Sequence, residues 1–278
     1  MAENRSAPTL FDRALLLRRQ ARAQKLGAAT FLLDRVIEDL NDRLSAVKRE
    51  FRAAADIWTP GEGASPRDCV APVRRLAPTQ DEVLPLEPGE LDLAVSALAF
   101  QFVNDLPGVL AQIRRALKPD GLLLAAMIGG DTLTELRQSF AAAEAECEGG
   151  VSPRVAPFAD LRDIGALLQR AGLALPVTDV DRVVVRYANA FALMADLRRM
   201  GSTNILLERR RMPTRRSTLL TMAQIYNERF ADPDGRIRAT FDVVWLSAWA
   251  PHESQQKPLR PGSARASLED AVKKAGKA

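Results

Sequence analysis

Histidine occurs once in this 278-residue chain, at His252, and cysteine twice, at Cys69 and Cys147. A structural zinc site needs four clustered nitrogen or sulfur ligands, and this inventory supplies none at ligand spacing. A facial triad of two histidines and a carboxylate, the ligand set of many non-haem iron oxygenases, cannot be built from one histidine. The same scarcity, with no serine or cysteine elbow, argues against a hydrolytic triad. Two distant cysteines make no disulfide framework and point to a reducing compartment. Long apolar runs are missing too: no stretch of eighteen occurs, and the start, MAENRSAPTLFDRALLLRRQ, has no apolar region of signal-peptide length. These absences predict a cytoplasmic, soluble protein with no metal and no transmembrane segment. Nor is there a large charge excess, since 39 basic against 35 acidic residues leave +4. That predicts no nucleic-acid partner. Arg209-Arg210-Arg211 with Arg215-Arg216 is locally basic, but few aromatics are interleaved with it, as stacked RNA would require. Its default reading is a solvated face; contact with an acidic protein partner is the other.

What is present is apolar residue, 47% of the chain, enough for a substantial core. The length suits one large α/β domain or two small ones. The organising stretch runs from Leu91 to Arg137. Leu91 to Phe100, with only Asp92 and Ser96 strongly polar, suits a strand buried on both faces of a parallel sheet. Asn104-Asp105 with Pro107 opens a helix bearing Val109, Leu110, Ile113, Ala116 and Leu117. Lys118-Pro119-Asp120-Gly121 reads as a stop and a turn, and Leu122 to Ile128 as the next strand. Strand, helix and strand make a βαβ unit.

This pattern resembles the later half of the class I S-adenosylmethionine-dependent methyltransferase core, in which a buried strand, a helix, LKPGG or LKPDG and a second strand follow one another. More specific words surround it: FVNDLP (Phe102 to Pro107), GGDTLTELR (Gly129 to Arg137), EGG.SPR..PF (Glu148 to Phe158) and HESQ..P...GSA (His252 to Ala264). LFDRALL near the start matches as well. Together they resemble a mitochondrial complex I assembly factor subfamily that acts as a protein arginine hydroxylase, with its bacterial relatives. The resemblance spans about Leu10 to Asp270. It implies an α/β fold, a Rossmann-like class I methyltransferase sheet with N-terminal helices and a helical insertion. It also implies S-adenosylmethionine, bound weakly or lost, and a protein partner such as a complex I iron–sulfur subunit.

Leu10 to Lys25 reads as an arginine-rich amphipathic helix. Thr30 to Phe51 supplies another, with Phe31, Leu32, Val36, Leu40, Leu44 and Val47 on one stripe. Their arginines suit a solvated face, or the helices cover a substrate cleft as in many members of the resembled class. Next should come an acidic residue and G-x-G-x-G, whose glycines let backbone approach a cofactor. Asp56 holds the acidic position, but Trp58 stands for the first glycine and Pro60 for the second, with Gly61 and Gly63 displaced. About 35 residues separate Asp56 from Leu91, and six prolines lie from Pro60 to Pro88 inclusive. Each parallel crossover needs a dozen or more residues, so this half of the sheet should be reduced, by divergence or by deletion. No acidic residue clearly follows a second strand, Asp68 being nearest. Gln80 and Asp81 fall where the resembled class often carries an adenine contact, or they are turn residues.

Beyond the core unit, Gly129-Gly130-Asp131 lies where loops line the crevice of open α/β sheets. Asp131 fits a helix N-cap, and Thr132 to Glu135 a capping box. Helices are expected over Thr132 to Glu146, Leu161 to Ala171, Ala190 to Met200 and Arg216 to Phe230. Strands are expected over Val180 to Tyr187 and Thr240 to Trp249. The division is a helical cover (1–52), an α/β domain (53–270) with a helical insertion near 189–231, and a tail (271–278). Candidate cofactor contacts are Asp56, Gly61, Gly63, Gln80, Asp81 and Ser96. Candidate substrate or partner contacts are Asn104, Asp105, Gly129, Gly130, Asp131, His252 and Glu253, with no catalytic residue assigned. Three functions fit: the arginine-hydroxylase type of assembly factor, a methyltransferase of a small molecule or acyl-carrier protein, and an inactive binding module.

Overall fold

The computed structural model describes residues 9–64, 66, 69 and 72–256. In chain order its elements are α1 (Arg13–Lys25), α2 (Phe31–Ser45), β1 (Ala54–Ile57), β2 (Arg74–Leu76) and β3 (Leu91–Ala97). After a 3-10 turn at Phe100–Phe102 come α3 (Leu106–Ala116), β4 (Leu117–Gly129), α4 (Thr134–Glu148) and α5 (Leu161–Arg170). Then follow β5 (Ala174–Tyr187), α6 (Ala190–Arg199), α7 (Arg216–Phe230) and β6 (Ile237–Trp249). The strands form one six-stranded sheet in the order β2-β1-β3-β4-β6-β5. β1 to β4 are parallel, and β6 runs antiparallel to both β4 and β5.

The two apolar runs behave as a doubly covered parallel sheet requires. Leu122, Leu124, Ala126 and Ile128 face one apolar cluster with α2, α4, α6 and α7. Leu123, Ala125 and Met127 face the other, with α3 and α5. Every residue of β3 is buried. The Lys118–Gly121 turn does not stand apart from its strand. It is a bulge inside β4, where the register with β3 slips between Leu91 and Leu93 and Asp120 takes φ 62°. Ala250 holds it there, accepting from Asp120 N at 3.0 Å and donating to Gly121 O at 2.8 Å.

The half expected to be reduced is reduced. β2 has three residues, and no helix lies between β1 and β3 among the described residues. Asp68 lies outside the described residues, as do Gly262 to Ala264. On α2 the stripe Leu32, Val36, Leu40 and Leu44 is buried. Phe31, expected on that stripe, is instead 41% exposed at the first turn, and the helix stops at Ser45, short of Phe51. No helix among the described residues is long and apolar enough to cross a membrane.

Candidate functional site

The turn after β1 closes on the chain itself. Asp56, 1% exposed, accepts from the Thr59 hydroxyl and from Ala64 N at 2.9 Å. Thr59 Oγ1 in turn accepts from Ala97 N at 2.9 Å, and the Ser96 hydroxyl donates to Ile57 O at 2.8 Å. Both candidate cofactor contacts, Asp56 and Ser96, thus spend their hydrogen bonds tying β1 to β3. Burial pushes the Asp56 carboxyl above its ordinary value, with Thr59, Ala64 and Arg75 pulling the other way. Gly63 must be glycine: its φ is 87°, and a Cβ would sit 2.5 Å from Asp56 Oδ2.

Trp58 is the decisive departure from a cradle. At φ 63° it holds the left-handed conformation that the replaced glycine would adopt freely. An L-residue there is strained by about 1–2 kcal/mol. Its ring is 3% exposed, under the Arg13 guanidinium 5.0 Å from the ring centroid. Where a glycine turn presents bare backbone to a ligand, this turn presents an indole capped by an arginine.

Arg13 comes from α1 and is itself buried. It donates to Thr79 O at 2.9 Å and Phe102 O at 3.4 Å, and pairs with Glu82 at 3.4 Å. Burial lowers its pKa, and Glu82 opposes that shift. The Glu82 carboxylate also accepts from Asn104 N and Asp105 N, each at 2.8 Å. Asn104 Oδ1 accepts from Leu10 N and Phe11 N at 2.8 Å, and the Phe11 and Phe102 rings meet edge to face at 6.0 Å. Asp105 caps α3 through Gly108 N. The words LFDR and FVND are therefore two sides of one clasp holding α1 over the strand ends. Gln80 and Asp81 are exposed beside it, with Asp81 Oδ1 accepting from Val83 N at 3.4 Å. Glu82, passed over in sequence, is the member of that loop that is built in.

The loop after β4 turns toward the antiparallel edge. Asp242 of β6, 3% exposed, accepts from Asp131 N at 3.0 Å and from Arg182 Nε and Nη2 at 2.7 and 2.8 Å. Burial alone would raise its carboxyl; the bonds from Arg182 and Asp131 outweigh that and hold it low. Thr132 Oγ1 donates to Gly129 O and accepts from Asp242 N, both at 2.8 Å. A Cβ on Gly130 would meet Asp242 Oδ2 at 2.7 Å. Asp131 is not an N-cap. The residue before α4 is Leu133, at φ 54° with no side-chain cap, and the Asp131 carboxylate pairs outward with Arg182 at 2.9 Å. Glu135 makes no capping box; it accepts from Thr240 N at 3.2 Å and from the Thr240 hydroxyl.

His252 and Glu253 lie at the other end of the sheet. Gly129 pairs with Asp242 but Leu122 with Trp249, so β6 leaves the glycine loop and ends at the start of β4. Seven residues at about 3.3 Å each put the two ends roughly 23 Å apart. There the exposed His252 Nδ1 meets Ser254 Oγ at 2.7 Å, and Gln255 bonds Asp120 and Ala250 O. As candidate partner contacts, His252 and Glu253 therefore stand well away from the glycine loop.

The cleft is a cavity of about 570 Å³ at the carboxyl ends of β1, β3 and β4, roofed by α1, α2, α6 and the chain leading to α7. Leu32, Leu133, Phe140, Phe158, Met194 and Phe241 give it an apolar floor. Of the candidate site residues, only Gly61 lines it. From the EGGVSPR word Arg154 lines it, held by Glu144, which accepts from Arg154 Nε and from Ser152 N, each at 2.7 Å; Arg154 also donates to the Thr214 hydroxyl. Arg209 and Arg210 are not a solvated face. They line the cavity and pair with Asp12 at 3.2 Å and Glu148 at 3.1 Å. Glu144 and Glu148, four apart on α4, were the available sequence signal for this wall.

A family model described as a methyltransferase domain matches residues 62–125. The chain is 45% identical over 187 residues to the mitochondrial arginine-hydroxylase NDUFAF5 of Dictyostelium discoideum, covering 67% of this chain and 43% of that one. To the human protein of the same name it is 44% identical over 188 residues, covering 68% and 54%. A malonyl-[acyl-carrier protein] O-methyltransferase of Laribacter hongkongensis is 39% identical over 181 residues, covering 65% and 58%. The chain spans about half the length of the curated relatives it matches. The expected cytoplasmic location is overturned by these matches, since the arginine hydroxylases are mitochondrial proteins. A solved methyltransferase structure from Bacillus halodurans superposes with a TM-score of 0.51 at 14% identity, covering 78% of this chain and 99% of that one, a likeness of fold. In fold the chain is similar to the solved methyltransferase, and in sequence to the methyltransferase domain over 62–125 and to the mitochondrial arginine hydroxylases.

Proposed function

We propose that this chain acts in the assembly of the respiratory NADH:quinone oxidoreductase, complex I, by modifying or chaperoning one of its subunits. The observation that carries this is 42–45% identity to arginine-hydroxylase NDUFAF5 from five organisms, against 36–39% to malonyl-[acyl-carrier protein] O-methyltransferases. The partner proposed is the iron–sulfur subunit at the quinone junction. It would approach the mouth of the arginine-lined cavity.

S-adenosylmethionine belongs to this reading as the cofactor of the fold, and the methyltransferase-domain match supports it. The turn keeps the backbone of a cradle, with positive φ at positions 58, 61 and 63, but not its bare surface. None of the four residues after Leu76, at the end of β2, is a carboxylate. Binding is therefore weak, and no step of the reading passes through the cofactor. The 39% identity to a malonyl-[acyl-carrier protein] O-methyltransferase favours a second reading, methyl transfer to a small molecule or carrier protein.

Deletion in the native host, followed by native gel analysis of complex I, tests the first reading. Loss of the assembled complex, restored by this chain, is expected. Normal assembly without it overturns the proposal.

A further inference from the structure

The cavity holds charge of one sign. Five arginines line it, Arg19, Arg154, Arg199, Arg209 and Arg210, and among the described lining residues there is no aspartate, glutamate, lysine or histidine. Four of the five are neutralised from behind by carboxylates outside the lining: Arg154 by Glu144, Arg199 by Asp196, Arg209 by Asp12 and Arg210 by Glu148. Arg19 makes no ion pair among the described residues. Its guanidinium is fastened to Asn204 O, and the nearby Asp12 carboxylate is itself paired with Arg209 at 3.2 Å, so the three groups leave one net positive charge. Burial, with Arg209 and Arg22 nearby, holds the Arg19 pKa below its ordinary value, and Asp12 opposes that shift.

Next to Asn204 in the chain, the Thr203 hydroxyl is buried with no hydrogen-bond partner, and Thr203 lines the same cavity. An orphaned buried hydroxyl near a guanidinium that makes no ion pair among the described residues is a two-point donor set for an anion. The rest of the wall is uncharged, mostly apolar with amide and hydroxyl side chains such as Gln24, Gln101 and Thr214 among it, and about 570 Å³ lies within the range of small-molecule sites.

We infer that this cavity binds an aliphatic monoanion, its carboxylate on Arg19 and Thr203 and its unbranched apolar body along the Leu133, Phe140 and Phe241 floor. A guanidinium is the wrong occupant, because a sixth arginine would enter a wall with no carboxylate to meet it. The inference concerns the cavity and does not depend on the partner proposed above, so a normal complex I in the deletion strain would leave it standing.

Calorimetric titration of the full chain with decanoate tests it, with decan-1-ol, decylammonium and N-acetyl-arginine methylamide as the other arms. Decanoate should bind, and the alcohol, the ammonium and the guanidinium should each bind about tenfold more weakly or worse. Arg19→Gln should weaken decanoate by about ten- to a hundredfold, and Thr203→Val by about two- to tenfold. Arg52→Gln, at a side chain 75% exposed outside the cavity, should change nothing. Thermal unfolding of each variant shows that it is folded; if Arg19→Gln is not, Thr203→Val carries the test alone. No decanoate binding, equal binding of decylammonium or the arginine amide, or unchanged affinity in the folded variants overturns the inference.

Discussion

β3 to β4 and β1 to β2 are both parallel connections in one sheet, yet among the described residues only the first holds a helix. Between β3 and β4, α3 places Val109, Leu110, Ile113 and Ala116 against the sheet, all 1% exposed or less. Between β1 and β2 no helix packs among the described residues, and the space over the strand ends is filled by single side chains, Trp58 and Arg13. A helix crossover makes stability independent of what binds at the strand ends, because its apolar face is buried elsewhere. A crossover without one must take its burial from the site itself. The cofactor turn of this chain has become part of the core.

The largest expected difference between the halves is in packing. Ile113→Ala should cost about 2–5 kcal/mol, as for a fully buried aliphatic side chain. Leu76→Ala, on the three-residue edge strand β2, should cost less than half of that. Urea denaturation measures both. Equal losses would mean that the reduced half is packed as tightly as the intact one.

Trp58→Gly sharpens the comparison, because it pits core against cradle at one residue. Removing a buried tryptophan costs about 3–5 kcal/mol, and relief of the positive φ returns about 1–2. A net loss of about 1–4 kcal/mol is expected, together with S-adenosylmethionine affinity at least about tenfold tighter by calorimetry. If affinity stays unchanged while the protein remains folded, the indole is not what weakens the site.

Two carboxylates at the strand ends should answer to pH with opposite sign. Asp242 is held low, so its contribution is present above the unfolded value of about 3.9 and is lost as pH falls. Asp242→Asn should lose about 1–2 kcal/mol near neutrality, less than a fully buried pair because the Arg182 side chain is 55% exposed. The gap between wild type and variant should close as the medium becomes acidic. Asp56 is held high by burial, so its contribution is present at low pH and fades as pH rises through its folded value. Asp56→Asn should therefore gain on wild type as pH rises. Stability profiles of both variants between pH 3 and 7 check the signs, and parallel curves would refute the contrast.

What could be read in sequence follows the same division. The runs Leu91 to Phe100 and Leu122 to Ile128 announced buried strands because a strand apolar on both faces has no polar alternation to hide. Trp58 and Pro60 announced a damaged turn because only glycine serves there. The prolines from 60 to 88 announced lost crossover helices. The site itself was not legible, since its walls come from α1, the Ser152–Arg154 loop and the chain before α7, which only tertiary contacts join. The distance of His252 from the glycine loop was not legible either, because the direction of β6 is set by antiparallel register, which no local pattern carries. The clasp between Asn104 and Leu10 shows why the words looked functional. They are specific because they hold one long-range contact.

The smallest effect should come from Asp131, where an expected cap proved to be an outer ion pair. Thr132 was expected in the helix, but its hydroxyl bridges Gly129 and Asp242 and Leu133 lies in the left-handed region, so the helix begins two residues later, at Thr134, without a capping side chain. The Asp131 carboxylate, 69% exposed, meets only the half-exposed Arg182. Exposed pairs contribute about 0–1 kcal/mol and are screened by salt. Asp131→Ala should accordingly lie within that range, with the difference from wild type shrinking further at high ionic strength. Its backbone N–H, which Asp242 accepts, survives the substitution. Gly130→Ala, two atoms away along the same loop, should be worse, because a Cβ there meets Asp242 Oδ2 at 2.7 Å on a backbone already at φ 54°. Paired thermal melts at low and high salt separate the two. An Asp131→Ala loss as large as that of Gly130→Ala, and insensitive to salt, would restore the capping role and remove the ion-pair account.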